Sequence, residues 1–207
     1  DSNYELMEIF SISEKYAIHE KQHTPIDLNT LQKISTLVTP NEVLAIFKIP
    51  PPKGVDLSSL ILALDGLNNP GNLGTIIRLC DWFGIKDLVC SKTSVDCYNP
   101  KVVQAAMGSH VRVNIHYVKL ELFLEGKSGN IGTFMDAKAS IYDAEFPNKG
   151  IVVLGNESKG ISKEVASKLK TEIKIPRFGS IKKTESLNVA TAAAIILSEY
   201  KRRSIER

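Results

Sequence analysis

Residues 65–78 place an asparagine and an arginine after a predicted strand, at the start of a predicted helix. Backbone amides at a helix N-terminus can hold an anion, and Asn72 lies close to two helical turns before Arg78, so both can lie on related faces. Arg78 stands between Ile77 and Leu79. A guanidinium in apolar surroundings needs a partner, because a buried lone charge is costly. That partner is either a carboxylate in a structural salt bridge or an anionic ligand.

Residues 152–162 form a second stretch that looks like a phosphate-binding loop, with a strand, Gly155, four residues, Gly160 and then a helix. A nucleotide-phosphate loop needs a lysine directly after its second glycine, and this chain has Ile161 there. Glu157 also brings negative charge to the place where phosphates would lie. The sequence therefore argues against an ATP or GTP hydrolase.

A third stretch combines the turn at residues 175–179 with Ser186 and Asn188, which come just before a helix. Small residues that expose the backbone beside polar side chains suit a pocket that binds a ligand through main-chain groups. Ser186 can equally be a helix cap that closes the first turn with its hydroxyl. This stretch alone leaves both interpretations open.

The elements that must position these residues follow from the hydrophobic pattern. A triple proline, 50–52, cannot donate backbone hydrogen bonds and favours an extended linker. After it, short apolar runs alternate with helical segments, which predicts an α/β fold with a mostly parallel sheet covered by helices on both faces. Ligands collect at the carboxyl ends of such strands, where all three stretches fall. We predict strands at 60–64, 86–90, 112–118, 131–135, 151–154 and 172–175, and helices at 73–83, 100–108, 119–126, 162–169 and 187–202.

The residues before the linker have a different pattern. Apolar side chains at helical spacing, Leu6, Ile9 and Phe10, predict a helix over residues 4–18. A second helix is expected at 28–37 and a strand at 43–49.

Together the three stretches resemble the three motifs of the SpoU (TrmH-type) class of SPOUT RNA methyltransferases. The matching segments are 72–78 for the first motif, 154–161 for the second, and 175–176 with 186–189 for the third. The resemblance covers roughly residues 59 to 203, with the motifs in the family's order. The preceding segment, 33–45, resembles the end of the L30e-like RNA-binding domain that often precedes this fold. The resemblance implies a partial L30e-like domain at 1–49, a proline-rich linker at 50–58 and a SPOUT methyltransferase domain at 59–207.

The resemblance also implies a function. Family members use S-adenosyl-L-methionine to methylate a ribose 2′-hydroxyl of tRNA or rRNA, work as homodimers, and contain a deep C-terminal trefoil knot, a rare exception to unknotted topology. The implied interface comprises the last helix and the face around 72–82. The implied cofactor-binding residues are Leu154, Gly155, Ile175, Pro176, Leu187 and Asn188, with the loop at 134–136 as a further candidate. The implied catalytic residues are Arg78, Asn72, Glu157, Ser186 and Asn188.

Roles within that set follow from acid–base chemistry. Arginine hardly deprotonates, so we expect Arg78 to position ribose and phosphate, and not to be the general base. Glu157 is expected to orient Arg78 or a neighbouring amide. Two departures from the family are a longer connection at 180–185, whose two lysines are either phosphate contacts or solvated charges, and Arg177, where methionine is usual.

Composition adds only broad limits. The chain has 207 residues, 43% of them hydrophobic, and a formal net charge of +3, which permits a polyanionic partner or simply a solvated surface. Cys80, Cys90 and Cys97 form no zinc-binding spacing, so no metal is expected. Free thiols, no signal peptide and no membrane-spanning run predict a cytoplasmic protein. The alternative function is a non-catalytic RNA-binding or ribosome-assembly protein that retains the fold.

Overall fold

The computed structural model describes residues 4–17, 22–147, 149–179 and 186–205. The chain divides into two units, Asp1–Pro52 and Lys53–Arg207. The longer connection expected at 180–185 lies outside the described residues.

In its described residues the first unit forms a three-stranded sheet, one α-helix and a short 3₁₀ helix at Glu14–Tyr16. Its elements are β1 (Glu5–Ser11), β2 (His23–Pro25), α1 (Leu28–Ile34) and β3 (Val43–Lys48). The strand order is β2-β1-β3, and β1 runs parallel to β2 and antiparallel to β3. Helix α1 begins at Asp27, whose carboxylate accepts a 2.7 Å hydrogen bond from the Thr30 amide.

The predicted helix over residues 4–18 is wrong, because residues 5–11 form the central strand of this sheet. Strand β1 pairs with a neighbour on each side, so the sheet satisfies its backbone groups. Three apolar residues at helical spacing over so short a stretch are a weak signal, and long-range pairing overrides it. The identity of this unit as part of an L30e-like domain stays a prediction.

The second unit contains one seven-stranded sheet with the order β6-β5-β4-β9-β7-β10-β8, in which each recorded strand pairing is parallel. Its elements in chain order are β4 (Leu60–Leu64), α2 (Pro70–Trp82), β5 (Asp87–Ser91), α3 (Pro100–Ala106), β6 (Asn114–Val118), α4 (Leu120–Leu124), β7 (Asn130–Thr133), β8 (Ala139–Ser140), β9 (Gly150–Leu154), α5 (Lys163–Ala166), β10 (Thr171–Lys174) and α6 (Val189–Ile205).

Helices cover both faces of this sheet, as the sequence predicts. Strand β4 is buried along its whole length, and its side chains alternate between two cores. Leu62 belongs to the larger core, which contains buried residues of α2, α3 and α6. Ile61 belongs to the smaller core, with buried residues of α4 and α5. The continuous apolar run at 60–64 is therefore a doubly covered parallel strand.

Parallel pairing brings the three predicted loops to one edge of the sheet. Leu64 pairs with Leu154, so the segments that follow β4 and β9 leave the sheet side by side. Strand β7 lies between β9 and β10 and is parallel to both. The segment that follows β10 therefore emerges at the same carboxyl edge. The predicted trefoil knot stays a prediction.

Candidate active site

Asn72 joins the three loops through its side-chain amide. Its Nδ2 donates a 2.7 Å hydrogen bond to Oε1 of Glu157, which lies 85 residues away in the chain. Its Oδ1 accepts a 2.9 Å hydrogen bond from Nδ2 of Asn188, which lies 116 residues away. A carboxamide has both a donor and an acceptor, so one residue can hold a carboxylate on one side and a second amide on the other.

Helix ends fix two members of this network. Asn72 lies in the first turn of α2. Asn69 is the N-cap of this helix, and its Oδ1 accepts a 3.1 Å hydrogen bond from the backbone amide of Asn72. Pro70 follows the cap, a position where its missing N–H costs nothing. Asn188 precedes α6, and its Oδ1 accepts hydrogen bonds from the amides of residues 190 and 191 at 2.9 and 3.3 Å. With its oxygen used at the helix end, its Nδ2 faces Asn72.

The capping role considered for Ser186 therefore belongs to Asn188. Among the described residues Ser186 makes no hydrogen bond, and it is exposed at the cavity described below. Both residue types are good caps. The position directly before Val189, where α6 begins, decides between them.

Asn156 organises the loop that contains Glu157, a role that the sequence analysis did not predict. Its backbone exchanges two 2.9 Å hydrogen bonds with Gly160. Its Oδ1 accepts the amides of Ser158 and Lys159, and its Nδ2 donates to the Gly66 carbonyl at 2.6 Å. Asparagine is a common turn residue for this reason, so an Asn directly after a strand-terminal glycine was the available signal.

Asp65 is a second residue whose role was missed. It is 7% exposed, and its Oδ2 accepts hydrogen bonds from the backbone and the hydroxyl of Ser162, at 2.8 and 2.7 Å. These hydrogen bonds therefore connect the end of β4 to the segment that precedes α5. An acidic residue that directly follows a fully apolar strand was the signal in the sequence.

Gly155 permits a close crossing of backbones. A Cβ atom at this position would lie 2.2 Å from the carbonyl carbon of Gly160 and 2.3 Å from the amide nitrogen of Ile161. Real Cβ contacts are not this short, so only glycine fits without a shift of the loop. The main chain at 155 is consequently exposed to the space beyond it.

That space is a cavity of about 660 Å³ bounded by the second and third loops and by the segment at 133–135, a volume typical of small-molecule sites. The predicted cofactor residues Leu154, Gly155, Ile175, Pro176 and Leu187 line it, together with Glu157 and Ser186. Asn188 does not line the cavity. It is connected to the lining residue Glu157 through the side chain of Asn72. Of the further loop, residues 134 and 135 line the cavity. The remaining lining residues are Thr133, Ile141, Asn156, Ser158, Lys159, Gly160, Ile173, Lys174, Arg177, Phe178, Gly179, Val189, Ala192 and Ile196.

Arg78 lies on the outside of α2 and not in apolar surroundings. Its flanking residue Ile77 is fully buried, whereas Arg78 is exposed on the same face as Thr75 and Trp82. The Arg78 side chain makes no hydrogen bond or ion pair with any residue that the structure describes. Of the two partners considered for Arg78, a structural salt bridge is therefore absent among those residues, and Glu157 contacts the side-chain amide of Asn72 and not Arg78.

The cysteines contribute no nucleophile to this edge. All three are buried and free. Burial raises the pKa of the Cys80 and Cys90 thiols far above the ordinary range and that of Cys97 to about 11, so they stay protonated. Within the described ranges no group of acidic, histidine or cysteine side chains could hold a metal ion, and no helix has the length and apolar character needed to cross a bilayer.

The protein has a parallel sheet whose carboxyl edge carries a cavity and a polar network. This arrangement is typical of α/β proteins that bind a small molecule. Residues 59–198 match the SpoU rRNA Methylase family, and the chain belongs to this family. This confirms the resemblance inferred from the three motifs.

Similar proteins share most of the chain. A Bacillus subtilis 23S rRNA (guanosine(2553)-2′-O)-methyltransferase is 28% identical over 90% of this chain and 79% of its own length. A 23S rRNA (uridine(2479)-2′-O)-methyltransferase of Streptomyces viridochromogenes is 30% identical over 80% of this chain and 62% of its own length. A solved TrmH-family structure from Porphyromonas gingivalis is 37% identical, covers 97% of this chain and 84% of its own, and superposes with a TM-score of 0.86.

Proposed function

We propose that the protein transfers the methyl group of S-adenosyl-L-methionine to a ribose 2′-hydroxyl of rRNA or tRNA. The observation that carries the proposal is the junction of the three motif loops through Asn72, beside the cavity that Glu157 and Ser186 line. The similar proteins of Bacillus subtilis and Streptomyces viridochromogenes are named as 2′-O-methyltransferases of 23S rRNA. The same junction argues against a non-catalytic protein, since a protein without the activity has no need for it.

The cavity suits the cofactor in size and chemistry. Its walls combine apolar side chains, such as Leu154, Ile175 and Leu187, with backbone exposed at Gly155. An apolar slot with a few fixed polar groups is the usual site for a ligand of this kind. The sulfonium of S-adenosyl-L-methionine supplies an electrophilic methyl group when bound. We assign these residues, with Pro176 and Asn188, to holding it.

The side chains around the cavity would align the acceptor. Methyl transfer needs the ribose oxygen held on the line of the reacting bond, and such alignment contributes much of the rate. Asn72 holds Glu157, which lines the cavity, and Asn188, which lies beside it. Ser186, exposed at the same cavity, would accept or donate a hydrogen bond at the ribose 2′-hydroxyl.

Arg78 would bind the RNA backbone. Its guanidinium has no partner among the described residues, and a planar fork of donors is well matched to a phosphate. It is a poor general base because it stays protonated. We assign it the positioning of the ribose–phosphate unit and the neutralisation of charge.

The assembly and location belong to the same proposal. A homodimer through α2 and α6 is supported by Trp82 and Ile205, which are 83% and 85% exposed at the ends of these helices. Large exposed apolar side chains often mark protein interfaces. We also propose the trefoil knot, an L30e-like first unit that contacts RNA, and a cytoplasmic location.

Calorimetry and radiolabel transfer test the proposal together. S-adenosyl-L-methionine should bind the wild-type protein, and its methyl group should appear on rRNA or tRNA transcripts; no binding would favour the non-catalytic alternative. Arg78→Ala should lower transfer by about 100-fold or more and leave cofactor affinity near wild type. Lys101→Ala removes an exposed cation on α3, outside the three loops and the proposed interface; it is the matched control and should stay active. Activity retained in Arg78→Ala would remove Arg78 from the mechanism.

A further inference from the structure

Two exposed aromatic rings lie together at the mouth of the cavity. Phe178 lines the cavity and is nevertheless 84% exposed. Its ring lies beside that of Tyr142, with centroids 6.5 Å apart and planes inclined by 38°. Tyr142 is 46% exposed. A large aromatic side chain contributes most when it is buried, so an exposed pair at the entrance to a site marks a surface that contacts a ligand.

The segment beneath Tyr142 is held firmly in place. Arg203, in the last turns of α6, donates hydrogen bonds to the backbone carbonyls of Ile141, at 2.9 Å, and of Tyr142 and Ala144. The guanidinium is fixed in turn by Glu199, whose Oε1 lies 2.6 Å from its Nε. The turn that presents the Tyr142 ring is therefore anchored to a helix of the core, and a fixed surface loses little entropy when it binds.

The charges around the rings identify the chemistry of the ligand. Among the described residues, the cavity lining contains Lys159, Lys174 and Arg177 and one carboxylate, Glu157, which is already hydrogen-bonded by Asn72. Open aromatic faces among cations are the standard surface for an unpaired nucleobase with its phosphates. They fit an apolar protein surface less well, because such a partner would cover Lys159 and Lys174 without bringing an opposite charge.

We infer that Phe178 and Tyr142 form a stacking platform for an unpaired base of the RNA substrate, at the entrance to the site where the ribose is methylated. This inference rests on the proposed function. The platform contacts a base and not the reacting atoms. It therefore governs RNA affinity and the choice of an unpaired region, while the methyl-transfer step itself is left to the network of Asn72.

The test compares Phe178→Ala and Phe178→Trp with Leu122→Ala. Leu122 is a matched control because it is 58% exposed on α4 and does not line the cavity. Fluorescence anisotropy would follow binding to labelled 23S rRNA and tRNA transcripts. Phe178→Ala should weaken RNA binding and raise KM for RNA by about 5-fold to 100-fold, with kcat at saturating RNA near wild type. Phe178→Trp should restore binding, and Leu122→Ala should have no effect.

Salt dependence separates stacking from phosphate contact. Loss of a phosphate contact reduces the slope of log Kd against log salt concentration, whereas loss of stacking lowers affinity at each salt concentration without changing that slope. A parallel shift for Phe178→Ala supports the platform.

Three results would overturn it: RNA affinity unchanged in Phe178→Ala, cofactor affinity reduced in parallel with RNA affinity, or a shift to monomer in analytical ultracentrifugation. The second would place Phe178 in the cofactor wall and the third in a subunit interface. The proposed function fails by different measurements, namely wild-type protein that binds no S-adenosyl-L-methionine or transfers no methyl group. RNA binding is measured without cofactor, so the platform is tested in either case.

Discussion

Gly155→Ala should damage the cavity even though it adds a single methyl group. The new Cβ would lie 2.2 and 2.3 Å from backbone atoms of Gly160 and Ile161, whereas ordinary contact begins at 3.4 Å. Backbone cannot rotate away like a side chain, so the crossing segment would have to move by about 1 Å. The two 2.9 Å hydrogen bonds between residues 156 and 160 oppose that movement.

The size of the effect follows from those contacts. Overpacking costs about 1–3 kcal/mol, and weakening two backbone hydrogen bonds adds about 1 kcal/mol each. We therefore expect the free energy of unfolding to fall by about 3–5 kcal/mol. The displaced loop also carries the cavity wall, so cofactor affinity should fall at least about tenfold, equivalent to roughly 1.4 kcal/mol.

Gly179→Ala is the matched control. Gly179 lines the same cavity, but no described atom lies within 4 Å of its would-be Cβ. Urea unfolding and calorimetric titration with S-adenosyl-L-methionine should find Gly179→Ala close to wild type. If Gly155→Ala unfolds at the wild-type urea concentration and binds the cofactor with wild-type affinity, the backbone crossing is not as tight as described and the argument fails.

Two further predictions concern stability. In Gly74→Ala the added Cβ would lie 2.5 Å from Cβ of Ala105, so the α2–α3 contact should loosen and the free energy of unfolding fall by about 1–3 kcal/mol; an unchanged urea midpoint would contradict this. Hydrogen bonds from Arg202, and then from Arg203, lower the pKa of Glu199 to about 2. The ionised carboxylate therefore stabilises the folded protein fully above the pKa that Glu199 has in the unfolded chain, and this contribution is lost as the pH falls through about 4 toward 2. Glu199→Gln should lower the free energy of unfolding by about 1–2 kcal/mol at neutral pH, and this difference from wild type should shrink in acid. A difference that is independent of pH would refute the ion pair.

The sequence predicted the second unit better than the first because its signals are local and strong. The run at 60–64 is apolar at each position, which only a doubly covered strand or a buried helix tolerates, and the following Asp–Gly ends it too early for a helix. Residues 4–18 lack such a signal. Their three apolar residues fit a helix, but the partner strands of β1 lie elsewhere in the chain, where periodicity cannot detect them.

The candidate site shows the same division. Gly155, Pro176 and the polar residues of the three loops form an unusual pattern in the sequence, which predicts a ligand site but not the contact of Gly155 with Gly160. The apolar surroundings expected for Arg78 were wrong, because sequence neighbours in a helix point in different directions. Ile76 and Ile77 face the core, while Arg78 faces outward.

The sequence by itself determined the family, the parallel α/β fold and the edge of the sheet where a ligand binds, because each depends on residue types at short spacings. Only the tertiary structure decided which side chains meet. Asn72 contacts partners 85 and 116 residues away, and it reaches them because parallel strands deliver their carboxyl ends to one edge. The course of the backbone in space decides three further points. Asn188 caps α6, Glu157 binds the side-chain amide of Asn72, and Arg78 is an exposed cation.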